Sequence, residues 1–76
     1  MYDFDVMRNA AKRNFTLFDK KFVLTVFESD DIYDIKRYIQ AVINDFEEDA
    51  LSDTVLLSKE DGLIESEELI EWVMSK

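Results

Sequence analysis

The clearest hydrophobic rhythm in the chain runs over residues 31–48. Ile32, Ile35, Ile39, Val42, Ile43 and Phe46 recur at three- and four-residue spacing with Tyr38 beside them, which is the period of a helix that covers one apolar face. Ser29, Asp30 and Asp31 lie just ahead, and each can accept a hydrogen bond from the first free amides of such a helix. The pattern predicts a helix over 31–48 that buries Ile35, Ile39, Val42 and Phe46 against a sheet.

The sheet is written on both sides of that helix. Residues 15–18 and 22–27 are rich in β-branched and aromatic side chains and flank Asp19, Lys20 and Lys21, so they read as a hairpin. The 22–27 strand is apolar on both faces, which predicts a central strand or one whose outer face meets another subunit. Residues 54–57 and 63–64 flank a turn at 59–62, where Gly62 can take a positive φ without a Cβ clash, and they predict a second, shorter hairpin. Ser66 followed by Glu67 and Glu68 predicts the start of a last helix with Leu69, Ile70, Val73 and Met74 on its apolar stripe and Trp72 alongside.

Residues 1–14 carry two patterns at once. Tyr2, Phe4 and Val6 alternate like a strand, whereas Phe4, Met7 and Ala11 fit a helix, and the run from Arg8 to Arg13 favours the helix by propensity. The predicted order is helix, two strands, long helix, two strands, short helix. That is a single α+β domain over 1–76, an antiparallel sheet of two hairpins packed against one long amphipathic helix and a short C-terminal helix.

Composition narrows the chemistry. The 76 residues include no Pro, no Cys and no His, and one Gly, so disulfides, thiolate ligands and an imidazole base are all absent. A chain 47% hydrophobic with ten aromatics is a folded globule rather than an acidic tail. No apolar run approaches the roughly 20 residues of a membrane span, and the N-terminus lacks the layout of a signal peptide, so the expected location is cytoplasmic.

Charge changes the picture most. Residues 1–37 hold equal numbers of acids and bases, whereas residues 38–76 hold eleven acids against only Lys59 and Lys76, so the whole net charge of −9 belongs to the second half. A lopsided charge steers cationic surfaces toward one side of a molecule. Asp45, Glu47, Glu48 and Asp49 fall at the end of the predicted long helix, where the helix dipole is negative and Lys or Arg would be favoured. Residues that oppose a local rule without visible compensation are often held for binding. The plainer alternative is a solvated cap and loop with Lys59 or Lys76 folded nearby. Asp53, Glu60, Asp61, Glu65 and Glu71 extend the candidate partner-binding set. Glu67 and Glu68 carry less information, because acids are favourable in a first helical turn.

Other chemistries fit less well. Gly62, Ile64 and Glu68 match positions 6, 8 and 12 of an EF-hand calcium loop, but Leu57 and Lys59 would stand at positions 1 and 3 and offer no carboxylate. A Ser or Thr nucleophile has no His or Cys partner, no glycine-rich phosphate loop is present, and two carboxylates need a cleft that so short a chain can hardly enclose. The expectation is a protein without catalysis, metal or cofactor. Nine of the ten aromatics precede Glu47, and most, Phe22 and Phe46 included, are assigned to the core, the remainder being available for a neutral patch that pairs two copies or grips a partner. Direct nucleic-acid binding is not expected of a −9 chain, for which Lys20 and Lys21 are too small a basic patch.

Carboxylates spaced along a helix end, a loop and a second helix can stand in for backbone phosphates. The expected function is therefore a small acidic inhibitor that occupies the basic, nucleic-acid-binding surface of a target protein as a DNA or RNA mimic. In character, over the whole chain and without a shared motif, it resembles the short acidic proteins that phages use against restriction, CRISPR or host DNA-binding proteins. Two rivals stand beside it: a regulatory adaptor that binds through its aromatic N-terminal half, and a self-assembling structural subunit joined through residues 22–27.

Overall fold

A computed structural model describes residues 3–76 and shows a four-stranded antiparallel sheet with helices on both faces. The elements are α1 (Phe4–Ala10), β1 (Phe15–Asp19), β2 (Leu24–Ser29), α2 (Ile32–Asp45), a 3-10 turn (Glu48–Leu51), β3 (Thr54–Ser58), β4 (Gly62–Ile64) and α3 (Ser66–Met74). This is the predicted α+β order, with the ambiguous N-terminal stretch resolved as a helix from Phe4. Tyr2, part of the rival strand pattern, lies outside the described residues.

Spatial order differs from chain order. The strands run β2-β1-β3-β4, so β1 and β3 are central and β2 is an edge. This overturns the first of the two readings of 22–27, that of a central strand. The two-sided apolar pattern of that segment has a local cause: β1 pairs with β2 through Leu17 with Phe27 and Phe18 with Thr25, which leaves Val26 as the extra residue of a bulge. Val26 and Phe27 both pack on the α2–α3 side as a result. The strand buried at every position is β3, whose Leu56 faces α2 and α3 while Val55 and Leu57 face α1. A strand covered on both faces reads as a continuous apolar run.

One core lies between the sheet and the α2–α3 pair, built on Leu17, Ile35, Ile39, Leu56, Leu69 and Val73. A smaller one lies under α1, where Phe4 and Met7 cover Phe18, Val55 and Leu57, and Phe4 meets Phe18 edge-on at 6.3 Å. Phe27 stacks on Tyr38 at 4.8 Å and Phe15 packs on Trp72 at 6.3 Å, tying β2 to α2 and β1 to α3.

Helix starts follow the sequence well. Asp3 accepts from Val6 N at 3.1 Å and Asp31 from Tyr33 N at 2.9 Å. In α3 the cap position is Glu65, without a capping hydrogen bond, and Ser66 is already helical, which moves the predicted cap by one residue. Met74 is exposed rather than part of the buried stripe, because α3 seats Leu69 and Val73 and turns its last residue outward.

The end of α2 departs most from expectation. The helix stops at Asp45, and Phe46 at its C-cap is 70% exposed instead of buried. The chain turns there into the 3-10 segment, and Leu51, 4% exposed, enters the core beside Ile35 and Ile39. The apolar stripe is thus completed by a residue beyond the helix.

Two turns shape the ends of the sheet. Asp30 accepts from Asn14 N and from the Arg13 guanidinium at 2.9 and 3.0 Å, which hold its carboxyl below the ordinary range, the Asn14 bond foremost. Such a contact supports folding above the unfolded carboxylate pKa and is lost as pH falls through the lower folded value. At the other end the hairpin loop has Asp19 accepting from Lys21 N and Phe22 N at 2.8 and 3.0 Å, followed by Val23 at φ 57°. A β-branched side chain is strained in that left-handed region. Val23→Asn, which tolerates it, is expected to stabilise the fold by about 1 kcal/mol, read as a raised melting temperature.

Candidate acidic interface

The antiparallel register decides which carboxylates meet. Asp19 pairs with Thr54 and with Leu24, and Lys20 N donates to the Asp53 carbonyl at 2.8 Å, so the end of β1, the start of β2 and the start of β3 share one end of the sheet. Phe15 pairs with Ser29 and Ser58, and Lys59 N donates to the Asn14 carbonyl, which defines the opposite end. The 14-residue α2 leaves from that opposite end and rises roughly 21 Å, about the length of the sheet. Its last residue, Asp45, therefore comes to the Asp19 end, and the chain stays there through Glu47, Asp49 and Asp53.

Four of the candidate residues, Asp45, Glu47, Asp49 and Asp53, are brought together in this way, all exposed. Glu48 opens the 3-10 turn among them, its side chain lying outside the described part of the structure. Among the described residues the four carboxylates make no ion pair, and the last turn of α2 holds no basic residue. Lys59 and Lys76, the cations that a plain solvated cap would have used, sit at the opposite end. The cations of the acidic end are Lys20 and Lys21, the latter over the Phe22 ring at 5.5 Å from its centroid.

The other candidates fall elsewhere. Glu60 and Asp61 follow β3, and that five-residue strand, roughly 17 Å of rise, separates them from Asp53. Their surroundings are charge-balanced, with Lys76 3.9 Å from Asp61 and Arg13 paired to Asp30. Glu65 is half-buried between β4 and α3, and Glu71 lies on the outer face of α3 with Glu68 and Trp72. The sequence set of nine is therefore not one surface. It is a compact group at one end of the sheet and a scattered remainder.

Sequence reasoning missed what accompanies the acids. Phe22 is 67% exposed and Phe46 70%, with Val23 and Leu24 also outside, so the core assignment of Phe22 and Phe46 is corrected. Phe22 and Val23 belong to the hairpin loop, Leu24 opens β2 and Phe46 caps α2, all at the same end as the carboxylates. The usable signal was position: Phe22 follows a lysine pair in a loop, and Phe46 is surrounded by Asp45, Glu47 and Glu48. The end thus combines apolar rings with negative charge, an arrangement suited to binding rather than to proton transfer between paired groups.

Among the described residues no cluster of three or more metal-ligating side chains is close enough to hold an ion. No helix among them is long and apolar enough to cross a membrane. No protein-family model, curated protein or solved structure matches the chain.

Proposed function

We propose that the chain is a non-catalytic binding protein that lays its acidic end on the basic, nucleic-acid-binding surface of a partner protein and keeps nucleic acid off it. The observation that carries this reading is the convergence of Asp45, Glu47, Asp49 and Asp53 at one end of the sheet, where the last turn of α2 holds no basic residue and the nearby cations are Lys20 and Lys21 of the hairpin loop. Carboxylates so placed attract Lys and Arg at long range and speed encounter. Phe22 and Phe46 then supply apolar area at short range and slow dissociation. Such a target implies a cytoplasmic site of action, and the small inhibitors that phages direct at restriction, CRISPR or DNA-binding proteins work in this manner.

Competition is the test. In a gel-shift titration at two salt concentrations, the protein and its partner's nucleic acid are expected to exclude each other, and both complexes to weaken as salt rises. A ternary complex that persists at saturating protein removes direct mimicry.

The exposed Phe22, Val23, Leu24 and Phe46 favour a second reading, an adaptor that holds its partner through apolar contact with the acids as a rim. An interface of that kind depends little on salt, so the same titration separates the two.

A further inference from the structure

The exposed apolar surface of the chain is gathered at its acidic end. Among the described residues seven large hydrophobic side chains are exposed, and four of them, Phe22, Val23, Leu24 and Phe46, lie there. The two phenylalanines are the most exposed of the seven, at 67% and 70%. Each is followed by a strained residue: Val23 at φ 57° and Glu47 at φ 155° are the non-glycine residues with positive φ among those described. Backbone in those regions is costly for a residue with a side chain, and such residues collect at binding sites.

Charge decides what can cover this patch. A second copy docked through the same patch would set Asp45, Glu47, Asp49 and Asp53 against their own counterparts, and like charges across an interface are unfavourable. A phosphate backbone and an anionic lipid surface are repelled for the same reason. Lys20 and Lys21 stand against Asp19 as well as those four acids, so the end stays negative. The occupant left is a cationic protein surface.

The rings decide between the two cations such a surface can offer. Lysine presents a compact, strongly hydrated charge, whereas the arginine guanidinium is flat and weakly hydrated, stacks on aromatic faces and forks onto carboxylates. Phe46 stands between Asp45 and Glu47 in the chain, and the Phe22 amide donates to the Asp19 carboxylate at 3.0 Å, so carboxylates accompany both rings. The Phe22 ring already receives a cation from within the chain, Lys21 Nζ at 5.5 Å from its centroid.

We propose that the acidic end recognises arginine in preference to lysine, with guanidinium groups of the partner stacked on Phe22 and Phe46 and paired with the carboxylates beside them. This rests on the reading of that end as the binding surface, and it narrows the partner from a basic protein to one whose basic surface is rich in arginine.

Nitrogen–proton correlation spectra of the intact protein test it, titrated near physiological salt with two capped peptides of equal charge, arginines or lysines spaced by glycine. Both peptides are expected to shift the amides of residues 22–24 and 45–53, the arginine peptide binding about threefold tighter or more. The double variant Phe22→Leu, Phe46→Leu keeps apolar area and removes the aromatic faces. In it the lysine peptide is expected to bind as before and the arginine peptide to fall to the same affinity, with the melting temperature held because both rings are exposed. Equal affinities in the wild type, or an arginine preference that survives the double variant, would overturn the proposal and leave the acidic binding surface standing. An end that responds to neither peptide would overturn both. Competition with nucleic acid is read separately by the gel-shift titration, so failure of the mimicry and failure of the arginine preference are told apart.

Discussion

Ile39→Asp is expected to leave the protein unfolded at room temperature. Ile39 is 1% exposed and packs with Leu17, Leu56 and Leu69 where α2 crosses the sheet. A domain of this size has about 4–11 kcal/mol of net stability. Removing the isoleucine contacts costs about 2–5 kcal/mol, and an unpaired carboxylate in their place adds several more. The loss matches or exceeds the whole margin, so the far-ultraviolet circular-dichroism melt should lose its cooperative transition. A melt like that of the wild type would mean that α2 presents a different face to the sheet.

The second large effect concerns binding. Replacing Asp45, Glu47, Glu48 and Asp49 by their amides is expected to weaken partner binding tenfold or more, about 1.4 kcal/mol or above. Folding should hold or improve slightly, because each carboxylate near the negative end of α2 is unfavourable by about 0.3–1 kcal/mol at low salt. The partner is the protein captured from the native host by tagged pull-down, and calorimetric titration reads the affinity. Amides at Glu60 and Asp61 provide the contrast: they sit at the opposite, charge-balanced end, and their removal should leave affinity unchanged. Equal losses in both variants would show that total charge, rather than the end of the sheet, governs binding.

Periodicity and turn chemistry made the element order legible. Ile35 and Ile39 at helical spacing, the lysine pair between two apolar runs, and Gly62 at φ 89° in the second turn each act through neighbours in sequence, and each came out as read. Position within the sheet was not legible, because it depends on α1 covering Val55 and Leu57, a contact between distant segments. The fate of Phe46 was hidden for the same reason. Its spacing continues the stripe of α2, and only the return of Leu51 to the core displaces it.

The candidate site was legible as charge and illegible as shape. Counting acids along the chain located the negative half and the cluster at 45–53. It could not show that an antiparallel β3 carries Asp53 to one end and Glu60 and Asp61 to the other, because neighbours along a strand become opposite poles of a sheet.

The placement of β3 beside β1 also governs how the chain must fold. The β1–β2 and β3–β4 hairpins close through short loops, whereas Asp19 must find Thr54 and Phe15 must find Ser58 across the whole of β2 and α2. Local pairings form on the microsecond scale, and closing the longer loop brings an entropic cost that is recovered only when β3 docks. Until then the inner edge of β1 is an open row of amides and carbonyls beside the apolar face of α2. Docking of β3 thus completes both cores in one step, which makes the β1–β3 seam the natural seat of the folding barrier and substitutions along it the ones that slow folding rather than hasten unfolding.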